Sequence, residues 1–277
     1  MNFAEAARIV SALPRPHTFP KRGRLLYEHI RENKPENVLE LGTARGGSAV
    51  FIAAALEANG LGHLTSVDSL RWTWEDPTPL EVLEKAGLSD LVTLDRRFST
   101  YTWFLKAEIE KHLDDAGSVR PAYDLIFLDG SKSWSTDGLA VVLAEKLLRP
   151  GGWLLLDDLG WTYEDFERKR NKQLHYDTDI PKLSAEERVQ PHLRAIFDLL
   201  IRTNPVFDQF VVQDDWWGWA HKSTDKLRLR SGGVLASWAT GPDAPQSRLR
   251  RLRGGVSRHL PPTARKRLRQ LERTLAR

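Results

Sequence analysis

Short, continuous apolar runs alternate along the chain with longer stretches of helical spacing. Asn37–Leu41 (NVLEL), His63–Ser69 (HLTSVDS), Leu91–Asp95 (LVTLD), Tyr123–Gly130 (YDLIFLDG) and Trp153–Asp158 (WLLLDD) read as five strands. Helical spacing covers residues 3–12, Gly23–Glu32, Ala49–Ala58, Leu139–Leu148 and Leu193–Ile201. Pro14, Pro16 and Pro20 separate the first two helices, and Pro35 closes the second. Phe210–Lys222 (FVVQDDWWGWAHK) predicts two strands meeting at a turn around Asp214–Trp216. Residues 160–192 are polar and helix-prone, an insertion or lid.

Strands without polar alternation, each ending in a small or acidic residue, need cover on both faces. The pattern therefore predicts an α/β fold: a doubly wound, Rossmann-like sheet, mostly parallel with an antiparallel last strand, and helices on both faces. Ligands in such sheets bind beyond the carboxyl ends of the strands, where Gly42, Asp68, Asp95, Asp129 and Asp157 fall. Three segments follow: N-terminal helices over 1–35, the sheet domain over 36–222 and a tail over 223–277.

Charge divides the chain at the same boundary. Residues 1–222 carry 27 Lys and Arg against 34 Asp and Glu, a net −7, whereas residues 223–277 carry 14 against 3, a net +11. In RLRRLRGGVSRHLPPTARKRLRQLERTLAR, Leu268, Leu271 and Leu275 share one face of an otherwise basic helix. That suits a membrane surface or another anionic partner, or an extension packing on the acidic body. Nucleic acid is the weaker reading, because Trp238 is the tail's sole aromatic residue. With no cysteine, disulfides, thiolate metal sites and thiol nucleophiles are excluded, so any metal must take oxygen or imidazole ligands. No run reaches the roughly 18 apolar residues of a membrane span. Acidic Glu5 stands where a signal peptide wants positive charge, so a cytoplasmic protein, peripheral to the membrane through its tail, is expected.

The turn after the first strand decides between cofactor classes. Glu40-x-Gly42-x-x-x-Gly46-Gly47 lacks the second glycine of G-x-G-x-x-G, where backbone approaches a pyrophosphate, because Thr43-Ala44 stands there. An acid, spaced glycines and then Asp68 after the next strand suit a ligand with a cationic amino-acid head and a ribose, whose hydroxyls Asp68 can hold. Alternatively, the glycines only make a tight strand-to-helix turn.

The ordered series VLELGTARGGS, TSVDS, YDLIFLDGSKSW and LLRPGGWLLLDD, over residues 36–160, resembles the class I S-adenosylmethionine-dependent methyltransferases. The resemblance implies that Glu40, Gly42 and Gly46, with Thr43 and Ser48, shape the methionine pocket. It further implies that Asp68 holds the ribose and that residues near Asp95 and Ser99 border the adenine.

A narrower resemblance is to metal-dependent O-methyltransferases of the catechol type and bacterial relatives acting on sugars and antibiotics. It implies Mg²⁺ on Asp129, Asp157 and Asp158, with Asp129 also bordering the cofactor, and Lys132, three residues after Asp129, as the base for the attacking hydroxyl. Three converging carboxylates repel unless a hard cation takes them, and a like charge beside Lys132 would lower its pKa. Asp129 as a residue that only borders the cofactor, Asp158 as a cap and Lys132 as a solvated surface lysine remain the bland alternatives. Gly130 and Ser131 replace the bulkier residues of the catechol pattern, which puts a catechol acceptor in doubt.

The implied activity is methyl transfer to a hydroxyl of a small molecule or glycan. The competing readings are a nucleotide-sugar or NAD-dependent Rossmann enzyme and a non-catalytic binder of the same fold, with oligomeric state left open. Trp72, Trp74, Trp134 and Trp161 fall at the sheet's carboxyl edge, suited to stacking on an acceptor or to plain packing. Trp216, Trp217 and Trp219 suit core or oligomer contacts, and His175 and His192 suit surface or capping roles.

Overall fold

The computed structural model describes residues 1–14, 17–71, 76–170, 174–175 and 178–225. The basic tail with Leu268, Leu271, Leu275 and Trp238, and likewise Trp72 and Trp74, lies outside the described residues. The first compact unit is Met1–Thr224.

The first unit opens with α1 (Phe3–Ser11) and α2 (Pro20–Asn33), followed by β1 (Asn37–Leu41), α3 (Gly47–Asn59), β2 (His63–Val67), α4 (Pro79–Ala86) and β3 (Val92–Asp95). Then come α5 (Tyr101–His112), β4 (Tyr123–Leu128), α6 (Trp134–Leu147) and β5 (Leu148–Leu156). The insertion holds α7 (Tyr163–Arg170), a small ribbon of β6 (Leu174–His175) and β7 (Thr178–Asp179), and α8 (Ala185–Val189). α9 (His192–Ile196) runs on into a π-helical turn, Phe197–Ile201, before β8 (Phe207–Gln213) and β9 (Trp217–Lys222).

Seven strands form one sheet in the order β3-β2-β1-β4-β5-β9-β8. β1 to β5 pair in parallel, and β9 is antiparallel to both β5 and β8. The predicted architecture is thus the observed one. From β1 the chain steps outward to β2, and from β4 it steps the other way to β5. Right-handed crossovers then put α3 and α6 on opposite faces. The strand order reverses between β1 and β4, so their carboxyl ends flank the crevice where ligands of such sheets bind.

α3 shows why an amphipathic stripe is absent from its sequence: Gly47–Leu56 are all buried, with the sheet on one side and α1 and α2 on the other. The sequence pattern assigns no helix to 79–86 or 101–112, yet α4 and α5 form there. In α5 the buried Tyr101, Phe104, Leu105 and Glu108 follow helical spacing. β5 begins at Leu148 rather than Trp153, because an irregularity opposite Asp124 absorbs Arg149–Gly152 before the ladder resumes at Leu125 and Trp153. The β8–β9 turn falls at Asp214–Trp216 as expected, with Asp214 and Asp215 in the left-handed region (φ 54° and 52°). Among the described residues no helix is long and apolar enough to cross a membrane.

Candidate active site

The crevice begins at Gly42, whose amide donates to Val67 O (2.8 Å) while Leu41 O accepts from Asp129 N (2.9 Å). Gly42 has φ 112°, and a Cβ there would lie 2.1 Å from the Asp129 carbonyl oxygen, so only glycine lets the turn meet the end of β4. Ala44 follows in the left-handed region, its amide bound to Asp68 Oδ2 (2.9 Å). Asp68 also accepts from Ser69 N (2.7 Å). Its own amide reaches Asp95 O (2.9 Å), and Ser69 Oγ reaches Ser99 O (2.5 Å). The ends of β1, β2 and β3 thereby bring Gly42, Asp68, Asp95 and Ser99 into one rim. The Asp95 carboxylate is taken by Arg97 (2.6 Å).

Glu40 lies fully buried beneath this rim. Oε2 accepts from Ser66 Oγ, which also bonds Thr43 Oγ1 (2.7 Å). Oε1 is buried without a hydrogen-bond partner. Burial pushes the Glu40 carboxyl up to about 8, against the pull of Ser48 and Ser66 and helped by the charges of Asp129 and Asp68. Its proton is therefore retained in the folded chain and released first in the unfolded chain, so stability is full below about 4.5 and falls as pH rises to about 8. The ligand-free Glu40→Gln variant is expected to match wild type near pH 5 and to exceed it at pH 8 by roughly 4 kcal/mol. Urea denaturation at the two pH values measures this, and a gap that does not widen with pH rules out a neutral Glu40.

On the other side of the switch point, Asp129, Asp157 and Asp158 offer oxygens that all lie within 4.8 Å of one another. Asp157 is buried, and its Oδ1 accepts from Trp217 Nε1 (2.6 Å) and Asp158 N (2.6 Å). Burial and the neighbouring carboxylates raise the pKa of Asp157 well above the usual range, and burial likewise raises Asp129. Asp158 and Lys132 both adopt left-handed backbone (φ 61° and 63°), which turns their side chains into the cluster. Lys132 Nζ sits 2.5 Å from Asp129 Oδ1 and 2.9 Å from Asp158 Oδ2. Burial alone would lower the lysine's pKa, but the charges of Asp129, Asp158 and Asp157 outweigh it and raise it. This is opposite to the shift expected beside a cation, because the lysine here is itself the carboxylates' counter-ion.

The sequence does not foresee what holds the 130–133 loop. A Cβ on Gly130 would fall 2.3 Å from the Tyr101 ring, which accounts for the small residue between Asp129 and Lys132. The Tyr101 hydroxyl donates to the fully buried Asp137 and accepts from Ser131 N (2.9 Å), and Asp137 also accepts from Ser133 N (2.8 Å). Also unforeseen is Arg22 of α2, at 3.7 Å from Asp157 and 4.0 Å from Asp158. Neither has a local signal. His192 is structural, Nδ1 accepting from Trp134 N at the start of α6 (3.0 Å) and Nε2 facing Glu187 O (2.8 Å). The His175 side chain lies outside the described residues. Trp161 packs on Tyr163 in the insertion, Trp134 is exposed, and Trp217 and Trp219 are core, the former also positioning Asp157.

Residues 39–159 match the model of a family described as a methyltransferase domain. No curated protein matches the chain. Among solved structures, an O-methyltransferase from Bacillus cereus in complex with SAH is 22% identical, with a TM-score of 0.52, over 79% of this chain and 90% of that one. The O-methyltransferase TomG from Streptomyces achromogenes, involved in tomaymycin synthesis and in complex with SAM, is 20% identical (TM-score 0.51, 80% and 89%). The SAH-bound methyltransferase PaMTH1 of Podospora anserina is 18% identical (TM-score 0.51, 79% and 86%). At these identities the likeness to the solved structures is one of fold. Residues 39–159, from β1 to the acid pair after β5, are thus similar to a methyltransferase domain, and the sheet around them has the Rossmann-like fold of the solved methyltransferases.

Proposed function

We propose that the protein is an S-adenosylmethionine-dependent O-methyltransferase acting on a hydroxyl of a small molecule or glycan, with Mg²⁺ on Asp129, Asp157 and Asp158. The observation that carries the reading is the meeting, at one switch point, of a glycine turn over a buried Glu40 with three carboxylates and a lysine.

The residues fit both groups. Glu40 Oε1, buried without a partner, gives the cationic amino-acid head of the methyl donor an acceptor, and Gly42 leaves room for it. Asp68, fixed by two backbone amides at the end of β2, is the acid placed to accept from ribose hydroxyls. SAM or SAH in the Streptomyces and Bacillus structures supports the same cofactor. The acid cluster is all-oxygen, and burial first, then the neighbouring carboxylates, raise the pKa values of Asp129 and Asp157, a cost that a hard divalent cation relieves. Once bound, such a cation supplies the charge that acidifies an acceptor hydroxyl. Lys132 stands between Asp129 and Asp158 to receive the hydroxyl proton once those carboxylates no longer hold it charged. The net +11 of residues 223–277 supports a further role for the tail in attachment to an anionic membrane surface.

Titration calorimetry with S-adenosylhomocysteine, with and without Mg²⁺, tests the cofactor assignment. Binding is expected to wild type and to fall about tenfold or more in Asp68→Ala, the loss of one charge-assisted hydrogen bond. Binding of NAD in its place overturns the reading.

A further inference from the structure

Arg22 reaches the acid cluster from outside the strand-end motifs. It lies in the first turn of α2, which begins with Phe19 and Pro20, has no side-chain cap and holds no acid. Lys21 and Arg22 instead put two cations at the positive end of the helix dipole, against the usual preference. Lys21 pairs with exposed Asp214 (3.2 Å).

Arg22 faces the acid cluster instead, at longer range. Its distances of 3.7 and 4.0 Å from Asp157 and Asp158 are ion pairs beyond hydrogen-bond reach. Both acids are served by nearer donors: Trp217 Nε1 and Asp158 N on Asp157, and Lys132 Nζ on Asp158. The guanidinium lies instead on the face of Trp216, 4.3 Å from the ring centroid, with the side chain 34% exposed. Among the described residues its donors therefore meet no hydrogen-bond acceptor. The Trp216 indole N–H is buried and likewise unpartnered. A guanidinium laid on an aromatic face, with its planar fork unclaimed and partly open to solvent, is suited to binding a carboxylate through two parallel hydrogen bonds.

We propose that Arg22, backed by Trp216, is a specificity-determining residue that binds a carboxylate on the acceptor, so that the acceptor is an acidic molecule whose hydroxyl is presented beside Asp129 and Lys132. The proposal rests on the methyltransferase reading and narrows its substrate class. Charge makes it conditional on the cation. Three carboxylates with Lys132 and Arg22 sum to −1 when all are ionised, and a divalent cation turns the sum to +1. An anion at Arg22 is repelled in the first case and attracted in the second.

The test uses the full chain saturated with S-adenosylhomocysteine and Mg²⁺, titrated by calorimetry with benzoate and with its neutral counterpart benzamide. Wild type is expected to bind benzoate at least about tenfold more tightly than Arg22→Gln, with Arg22→Lys between them and benzamide indifferent to all three. Removing Mg²⁺ is expected to weaken benzoate and leave benzamide unchanged. The proposal is overturned if wild type binds no benzoate, if benzoate binds wild type and Arg22→Gln within about threefold, or if benzamide loses as much as benzoate. Should Arg22→Gln fail to fold, Arg22→Lys decides, since it keeps the charge and loses only the fork. Failure to bind S-adenosylhomocysteine overturns the methyltransferase reading itself, whereas binding it with benzoate indifferent to Arg22 overturns the acceptor assignment alone.

Discussion

Asp157→Asn is expected to lower methyl transfer by about 10²–10³-fold or more, the several kcal/mol that a metal site contributes, while leaving S-adenosylhomocysteine binding within about threefold of wild type. The same change is expected to raise the melting temperature. Asparagine keeps an oxygen for the bonds from Trp217 Nε1 and the Asp158 amide, so the end of β5 keeps its shape. It removes a buried carboxyl whose pKa is raised first by burial and then by Asp158 and Asp129, so one repelling charge leaves the cluster. A gain in stability with a loss of function marks a site held under electrostatic strain for a purpose. Differential scanning fluorimetry and a labelled-methyl assay on one preparation decide the matter. Full transfer by the variant sinks the metal assignment, and a large drop in melting temperature shows that Asp157 is chiefly a structural acceptor.

How far this site is legible in the sequence depends on how local each part is. Gly42, Asp68, Asp129 and Asp157 end parallel strands, so an apolar run followed by a small or acidic residue is enough to place them at one edge. Trp217 is different. Its reach to Asp157 depends on antiparallel pairing between β5 and β9, in which Leu156 faces Gly218, and no periodicity in either segment reports that register. Arg22 is in the site because α2 packs on α3, and Tyr101 holds the Lys132 loop because α5 packs on α6. The left-handed backbone at Lys132 and Asp158 is likewise hidden, since neither is a glycine. The sense of the Lys132 shift could not be read either, because it depends on which cation the carboxylates face, and that is a property of the assembled cluster.

Lys132→Arg separates the two roles that this geometry allows for the lysine. As a counter-ion, Lys132 needs only to present positive charge to Asp129 and Asp158, and arginine does that as well. As a base, it must lose a proton, which arginine does not do in proteins. The expected result is a variant that folds, binds S-adenosylhomocysteine like wild type and loses about 10²-fold or more in kcat, within the range that a positioned acid or base contributes, with KM little changed. Lys132→Gln serves as a second variant should the larger guanidinium not fit. Its residual rate is expected to climb with pH, as ionisation of the acceptor in solution replaces proton transfer to the enzyme. An arginine variant that keeps more than about a tenth of the rate means that charge alone suffices, and the proton must then leave the acceptor by another path. The retained charge gives the comparison its force: Lys132→Met would remove base and counter-ion together and leave three mostly buried carboxylates facing Arg22 alone, so its loss could be assigned to neither.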